Sequence, residues 1–163
     1  MNRIVGRSIG VAKLVQRTYR EVAIDPRATR EAAIVVAVAA VAGGIGGLDN
    51  GLGGFVAGLS WAFVSWFLFT AFAWFFGTQV FRTPQTNATM GSLLRTLGYA
   101  QAPHVLTIFG SILVLGPILG FVGFMWMLVA STFAIRQVLG LSTIRVVITI
   151  AMSGIAYLIV IGL

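Results

Sequence analysis

Long apolar runs without charge constrain this chain more than any other feature. The run FVAGLSWAFVSWFLFTAFAWFFGTQVF, residues 55–81, contains no charged side chain. A helix needs about 20 mainly apolar residues to cross a bilayer, and we predict further spans over about 26–48, 118–136 and 143–163. Only 9% of all residues are charged, against about 25% in soluble domains. The sequence therefore predicts an all-α, polytopic integral membrane protein.

A fifth span is predicted over about 98–115, where the apolar run is short and contains a proline. Pro103 removes a backbone donor and disfavours helix in the residue before it, so a helix break is expected there. Either one helix begins near Leu93 and bends at the proline, or an interfacial or re-entrant helix leads into a short span. Gly116 and Pro117 are predicted to form the turn into the next span.

The basic residues predict the orientation of the five transmembrane helices. All eleven lysine and arginine residues precede the apolar run of the first span, which starts at Ala32, or lie between spans two and three or spans four and five. Five spans place all of them on one side of the membrane, and the positive-inside rule makes that side the cytoplasm. We therefore predict a cytoplasmic N-terminus and a C-terminus outside, in a multi-pass protein.

Residues 1–24 are predicted to form a basic amphipathic helix in the membrane interface, ahead of a transmembrane domain over 25–163. Apolar side chains gather on one helical face and basic side chains on the other, a pattern typical of interfacial helices. Asp25 is a candidate cap for the first span, because Pro26 suits the first helical position. The residues predicted to contact anionic lipid are Arg3, Arg7, Lys13, Arg17 and Arg20.

Few residues are candidates for chemistry. The chain has no cysteine and one histidine, so no catalytic residue and no metal site is predicted. His104, Gln101 and Tyr99 form a candidate polar or cofactor site. His104 could ligate haem or a chlorin pigment or relay protons, or it could be a polar side chain at headgroup level. Lipids are the expected ligands, and no resident cofactor is predicted.

Glycine pairs at GxxxG spacing are predicted to let helices pack closely in lipid. This packing lies either within one chain or between two copies. The pairs are Gly43 and Gly47, Gly54 and Gly58, and Gly116 and Gly120.

Four segments give the chain a resemblance to the Yip domain family of Ypt/Rab-interacting membrane proteins, in its prokaryotic branch. They are YREVAIDPRATREAAIVV, WAFVSWFLFTAFAWFFGTQVF, ATMGSLLRTLGYAQAPHVLTIFG and FAIRQVLGLSTIRVV. The resemblance implies five transmembrane helices, a cytoplasmic N-terminus, a location in the prokaryotic cytoplasmic membrane and no enzymatic residues. Eukaryotic members bind small GTPases and shape membranes, but their N-terminal regions are longer.

Three functions follow as hypotheses. The preferred one is a non-enzymatic membrane scaffold or accessory subunit, whose partners are other integral membrane proteins in a larger complex. The alternatives are a transporter or lipid-handling protein, with a polar cavity near Gln101, His104 and Gln79, and a subunit that contacts pigment or haem. No nucleic-acid partner is expected, because the placement of the positive charges is explained by membrane topology.

Overall fold

The computed structural model describes residues 2–45, 51–81, 88–111 and 115–162, and every regular element within these ranges is helical. The all-α prediction is confirmed. In chain order the helices are α1 Asn2–Ala12, α2 Gln16–Ile24, α3 Ala28–Ile45, α4 Gly51–Phe75, α5 Met90–Tyr99, a 3₁₀ helix Ala102–Ser111, α6 Leu115–Leu139 and α7 Thr143–Gly162. A π turn, Phe76–Val80, continues α4.

Three helical segments are long and apolar enough to cross a membrane, and they make the chain a membrane-embedded protein. They are Gly51–Val80, Gly116–Leu139 and Thr143–Gly162. Of the two other predicted spans, the first corresponds to α3. The span over about 98–115 contains the end of α5 and the 3₁₀ helix. The total of five spans and their orientation remain predictions.

The prediction of a single helix over residues 1–24 is wrong. The chain turns between α1 and α2, where Leu14 adopts a positive φ of 57°, a conformation that leucine rarely takes. The turn brings α2 back against α1, so that a Cβ on Gly10 would lie 2.5 Å from Thr18 Oγ1. Only glycine fits at this contact. The turn lets both helices bury apolar side chains, including Val11 and Val22, against the rest of the protein.

The predicted helix break at Pro103 is present. Proline has no N–H to donate to the Tyr99 carbonyl, which an α-helix would require at this position. Helix α5 accordingly ends at Tyr99, and the chain continues with 3₁₀ bonding, in which His104 N donates to Gln101 O at 2.9 Å. At about 2.0 Å per residue, the ten residues of the 3₁₀ helix rise roughly 20 Å.

Gly116 and Pro117 lie in a helix and not in the predicted turn. Helix α6 already begins at Leu115, and Pro117 lies in its first turn, where a missing N–H breaks no helical hydrogen bond. The residues that connect the 3₁₀ helix to α6, 112–114, lie outside the described ranges.

Helix α3 is in contact with α4, α5 and the 3₁₀ helix, and α6 is in contact with α5 and the 3₁₀ helix. Gly98 of α5 lies close to both α3 and α4. A Cβ there would lie 2.8 Å from Ala32 Cβ and 2.9 Å from Trp66 Cζ2. This glycine lets α3, α4 and α5 meet at one level.

The glycines at GxxxG spacing differ from Gly98 in their surroundings. A Cβ on Gly58 or Gly120 would meet nothing within 4 Å, and one on Gly43 would reach only Thr107, at 3.7 Å. Gly54 is exposed and Gly116 is buried, while Gly47 lies outside the described residues. A helix-packing role for these pairs therefore stays a prediction.

Candidate functional site

A buried carboxylate links the N-terminal helices to the bundle. Glu31, in the first turn of α3, is 6% exposed. Its Oε2 accepts hydrogen bonds from Arg7 Nη1 and from the Tyr99 hydroxyl, each at 2.7 Å, and its Oε1 accepts from Arg3 Nη2. Hydrogen bonds to ionised groups are about twice as strong as neutral ones. Glu31 thereby joins α1, α3 and α5.

Arg7 connects Glu31 to a second carboxylate. Its Nη2 donates to Asp25 Oδ2 at 2.8 Å, and this hydrogen bond, followed by one from the Arg27 backbone N–H, lowers the pKa of the Asp25 carboxyl. Burial alone would lower the pKa of Arg7, but its hydrogen bonds to Asp25 and Glu31 outweigh burial and raise that pKa. Both partners are therefore charged at neutral pH. The Arg27 N–H to Asp25 Oδ1 bond, at 3.0 Å, also matches the predicted cap before α3.

Further hydrogen bonds fix the N-terminal helices to α6. The buried Tyr19 hydroxyl donates to Val11 O at 2.9 Å and to Ala130 O at 3.2 Å, and desolvation raises its pKa. Trp126 Nε1 donates to Ala12 O at 2.7 Å. We call α1 and α2, residues 2–24, the N-terminal layer. It is held on α3, α5 and α6 by polar contacts.

The basic residues that were predicted to contact anionic lipid fall into two groups. Lys13, Arg17 and Arg20 are exposed on the N-terminal layer, although Arg17 also pairs with Glu21 at 2.8 Å. The guanidinium of Arg7 is engaged by two carboxylates, and that of Arg3 bonds to Glu31 while its side chain stays 57% exposed. Contact with anionic lipid remains a prediction, and Arg7 has a structural role that its charge alone did not indicate.

A cavity of about 860 Å³ lies between α3, α4, α6, α7 and the 3₁₀ helix. Its size falls within the roughly 300–1,000 Å³ usual for ligand pockets. The walls combine aromatic and small side chains. The aromatic residues include Phe55, Trp66, Phe69 and Phe124, and the small residues are Ala39, Ala40, Gly43, Gly44, Gly54, Gly58, Ala62 and Gly154. The small residues leave the space that larger side chains would fill.

Polar side chains reach this cavity from three directions. Gln101 and His104 line it beside the helix break, and Ser131 of α6 lines it while being only 7% exposed. Ser65 of α4 and Tyr157 of α7 also line it, and their hydroxyl oxygens lie 2.7 Å apart. Across the described ranges, no three His, Asp or Glu residues are placed to hold a metal ion.

The structure brings together two of the three candidate site residues. Gln101 and His104 both line the cavity, whereas Tyr99 is completely buried and donates to Glu31. Gln79 is absent from the cavity lining and lies in the π turn at the end of α4. Whether any of these residues binds a ligand or cofactor stays a prediction.

Comparison with protein-family models identifies the family of the chain. The model of the Yip1 domain matches residues 13–163, which is nearly the whole chain. The chain belongs to the Yip1 domain family. The match begins in the turn between α1 and α2, so the Yip1 domain contains every residue of the cavity lining together with Glu31 and Tyr99. No curated protein and no solved structure matches this Yip1 domain.

The sequence analysis missed the role of the acidic residues. Asp25 and Glu31 are two of only four acids in the chain, and both lie among basic residues that were assigned to topology. An acid at the start of an apolar helix must be paired if it is buried, and that requirement was the available signal. Nothing in the linear spacing showed that the partners would be Arg3, Arg7 and Tyr99.

Proposed function

We propose that this Yip1-domain protein is a non-enzymatic scaffold or accessory subunit in a prokaryotic cytoplasmic membrane. It crosses the membrane five times, with the N-terminal layer on the cytoplasmic side. The observation that carries the proposal is the attachment of this layer to the bundle through Glu31, Arg7 and Tyr19. A fixed, basic surface is suited to hold a partner in one orientation, because it needs little ordering on binding.

The surface of the bundle supports the same proposal. Large apolar side chains remain exposed along α4, α6 and α7, among them Trp61, Phe67, Phe121, Val147 and Leu158. In a membrane such faces meet lipid or the helices of other integral membrane proteins. The protein therefore offers partner contacts both within the membrane and on the N-terminal layer, as an accessory subunit of a larger complex requires.

The test is gentle solubilisation of native membranes, capture through a C-terminal tag, and native size analysis with mass spectrometry. We expect one larger complex of fixed stoichiometry. Joint replacement of Lys13, Arg17 and Arg20 by glutamine should weaken that complex, while replacement of Arg136 and Arg145, exposed elsewhere, should not. Recovery of the wild-type protein as a free monomer under mild conditions would contradict the proposal.

The cavity favours a second candidate, a lipid-handling protein. An apolar space with a few polar groups, lined by helices long enough to cross a membrane, is suited to a lipid molecule. Transfer of labelled lipids between vesicles, with and without the reconstituted protein, measures this activity directly. Equal transfer in the two samples would exclude it.

Contact with a haem or pigment through His104 remains a third proposal. It rests on the position of the imidazole at the wall of the cavity beside aromatic side chains. The visible absorption spectrum of the protein, purified from its native membrane, tests it. A spectrum without a visible band would reject this assignment.

A further inference from the structure

The cavity combines hydrogen-bonding side chains with a complete lack of charge in its lining. No Asp, Glu, Lys or Arg is among the described residues that form its walls. Anionic headgroups are usually bound by arginine, lysine or helix N-termini. The lining thus offers a charged phosphate nothing to pair with, while it offers a neutral oxygen several donors.

Three of these polar side chains have unused hydrogen-bonding capacity. Within the part of the chain that the structure describes, the Gln101 amide, the His104 imidazole and the Ser131 hydroxyl make no hydrogen bond with another group. Ser131 is more than nine-tenths buried. A buried polar group nearly always has a partner, so the Ser131 hydroxyl indicates a ligand that supplies one, and the partly exposed Gln101 and His104 side chains offer further hydrogen bonds at the same wall.

The polar groups lie well below the ends of the bundle. Pro103 O and the His104 Cα lie against Gly123 in α6, at 3.0 Å and 3.8 Å from a Cβ built on that glycine. Gly123 is eight residues from the start of α6 at Leu115, a rise of about 12 Å at 1.5 Å per residue. This depth does not suit a charged headgroup, which would be costly to bury there.

We propose that the cavity binds a neutral membrane lipid whose hydroxyl and carbonyl oxygens bond to Gln101, His104 and Ser131. Its apolar chain lies among the small and aromatic residues between α3 and α4. This ligand class gives the lipid-handling candidate a substrate, and the inference rests on that candidate. A phospholipid with a charged headgroup is excluded as the preferred ligand.

Glycine positions allow a test that preserves the fold. A Cβ at Gly58, Gly154 or Gly120 would meet nothing within 4 Å, so each position has open space where a side chain would begin. Glycine also disfavours helix relative to leucine, which makes loss of folding unexpected. Gly58 and Gly154 line the cavity and Gly120 does not. Gly58→Leu and Gly154→Leu therefore fill the site, and Gly120→Leu is the matched control.

The experiment uses the full chain in nanodiscs with two photoactivatable probes of the same acyl chain, a diacylglycerol and a phosphatidylglycerol. We expect the diacylglycerol to label cavity peptides in preference to the phosphatidylglycerol. Gly58→Leu and Gly154→Leu should abolish this labelling, and Gly120→Leu should leave it unchanged. Removing one neutral hydrogen bond by Gln101→Leu or Ser131→Ala should lower the apparent affinity about fivefold.

Three results would overturn the assignment. One is equal labelling by the two probes, and another is cavity labelling that persists in Gly58→Leu. The third is a wild-type protein that runs as a dimer together with a Gly58→Leu variant that runs as a monomer, which would assign the cavity to a second copy of the chain. Vesicle transfer, measured in parallel, separates the claims. Selective diacylglycerol binding without lipid transfer would support the binding site and reject lipid handling. Phospholipid transfer without diacylglycerol binding would support lipid handling and reject the binding site.

Discussion

Replacing Glu31 by glutamine should release α1 from the bundle. Glutamine has nearly the same shape as glutamate, but it carries no charge and presents an N–H₂ group to the guanidinium groups. The Arg3 pair contributes little, because an arginine that is 57% exposed is largely screened by solvent. The Arg7 pair, with side chains 15% and 8% exposed, accounts for most of the effect.

The magnitude follows from these contacts. A hydrogen bond to a charged group contributes about 1.5–3 kcal/mol, and breaking a buried ion pair costs about 3–5 kcal/mol. Arg7 retains Asp25 as a partner, so the loss lies below the upper limit. We expect the docked state of α1 to be destabilised relative to the released state by about 2–4 kcal/mol, which corresponds to roughly 30- to 700-fold faster amide exchange where exchange follows the opening equilibrium.

Amide hydrogen exchange of the protein in nanodiscs measures this opening, because local protection reports local unfolding free energy. Protection should fall in α1 and stay constant in α7. Glu21→Gln is the matched control, since the exposed Arg17–Glu21 pair is worth at most a few tenths of a kcal/mol. Protection of α1 in Glu31→Gln within twofold of the wild type would refute a holding role for Glu31.

Three further predictions concern pH, packing and topology. The folded-state pKa of Asp25 is depressed by Arg7. The contribution of Asp25 to stability is therefore present above the usual carboxyl pKa of about 3.9 and is lost as the pH falls through the folded-state pKa. Protection of α1 should fall on acidification, and Asp25→Asn should remove this pH-dependent part of the protection. Gly98→Ala should lower thermal stability by about 1–3 kcal/mol through overpacking, whereas Gly120→Ala should be neutral or stabilising by up to about 1 kcal/mol; equal melting temperatures would refute the packing described for α5. Because the chain has no cysteine, single cysteines in α2 and in 46–50 can be labelled with impermeant reagents in intact cells, and labelling of both positions from the same side would contradict the five-span topology.

The sequence predicted those features that depend on local chemistry. Long uncharged runs predicted the membrane helices, and the missing N–H of Pro103 predicted the end of α5, because both effects act within a few residues. The amphipathic pattern of residues 1–24 predicted helix but not the turn at Leu14. A positive φ at leucine is unfavourable locally, and the tertiary contacts of Tyr19 and Val22 with the bundle compensate for it.

Properties of the site that depend on residues far apart in the chain could not be predicted from the sequence. Glu31 and Tyr99 are separated by 68 positions, and no periodicity indicates that they meet. Gly43, Gly54 and Gly58 were predicted to be helix contacts, since close packing is the usual role of GxxxG spacing in lipid. Glycine also leaves space, and only the arrangement of the surrounding helices decides between contact and cavity.

The position of α5 has a consequence for how the protein is made. Arg95 of α5 bonds to Ala23 O and Thr29 Oγ1, which are synthesised earlier, while α5 and the 3₁₀ helix also pack on α6, which is synthesised later. In a newly made chain, α5 with Arg95 and the 3₁₀ helix thus lack their contacts with α6 until α6 has been synthesised. We therefore expect α5 and the 3₁₀ helix to reach their final packing only after translation has passed Leu139, and chains truncated before that point should be retained by the insertion machinery or degraded.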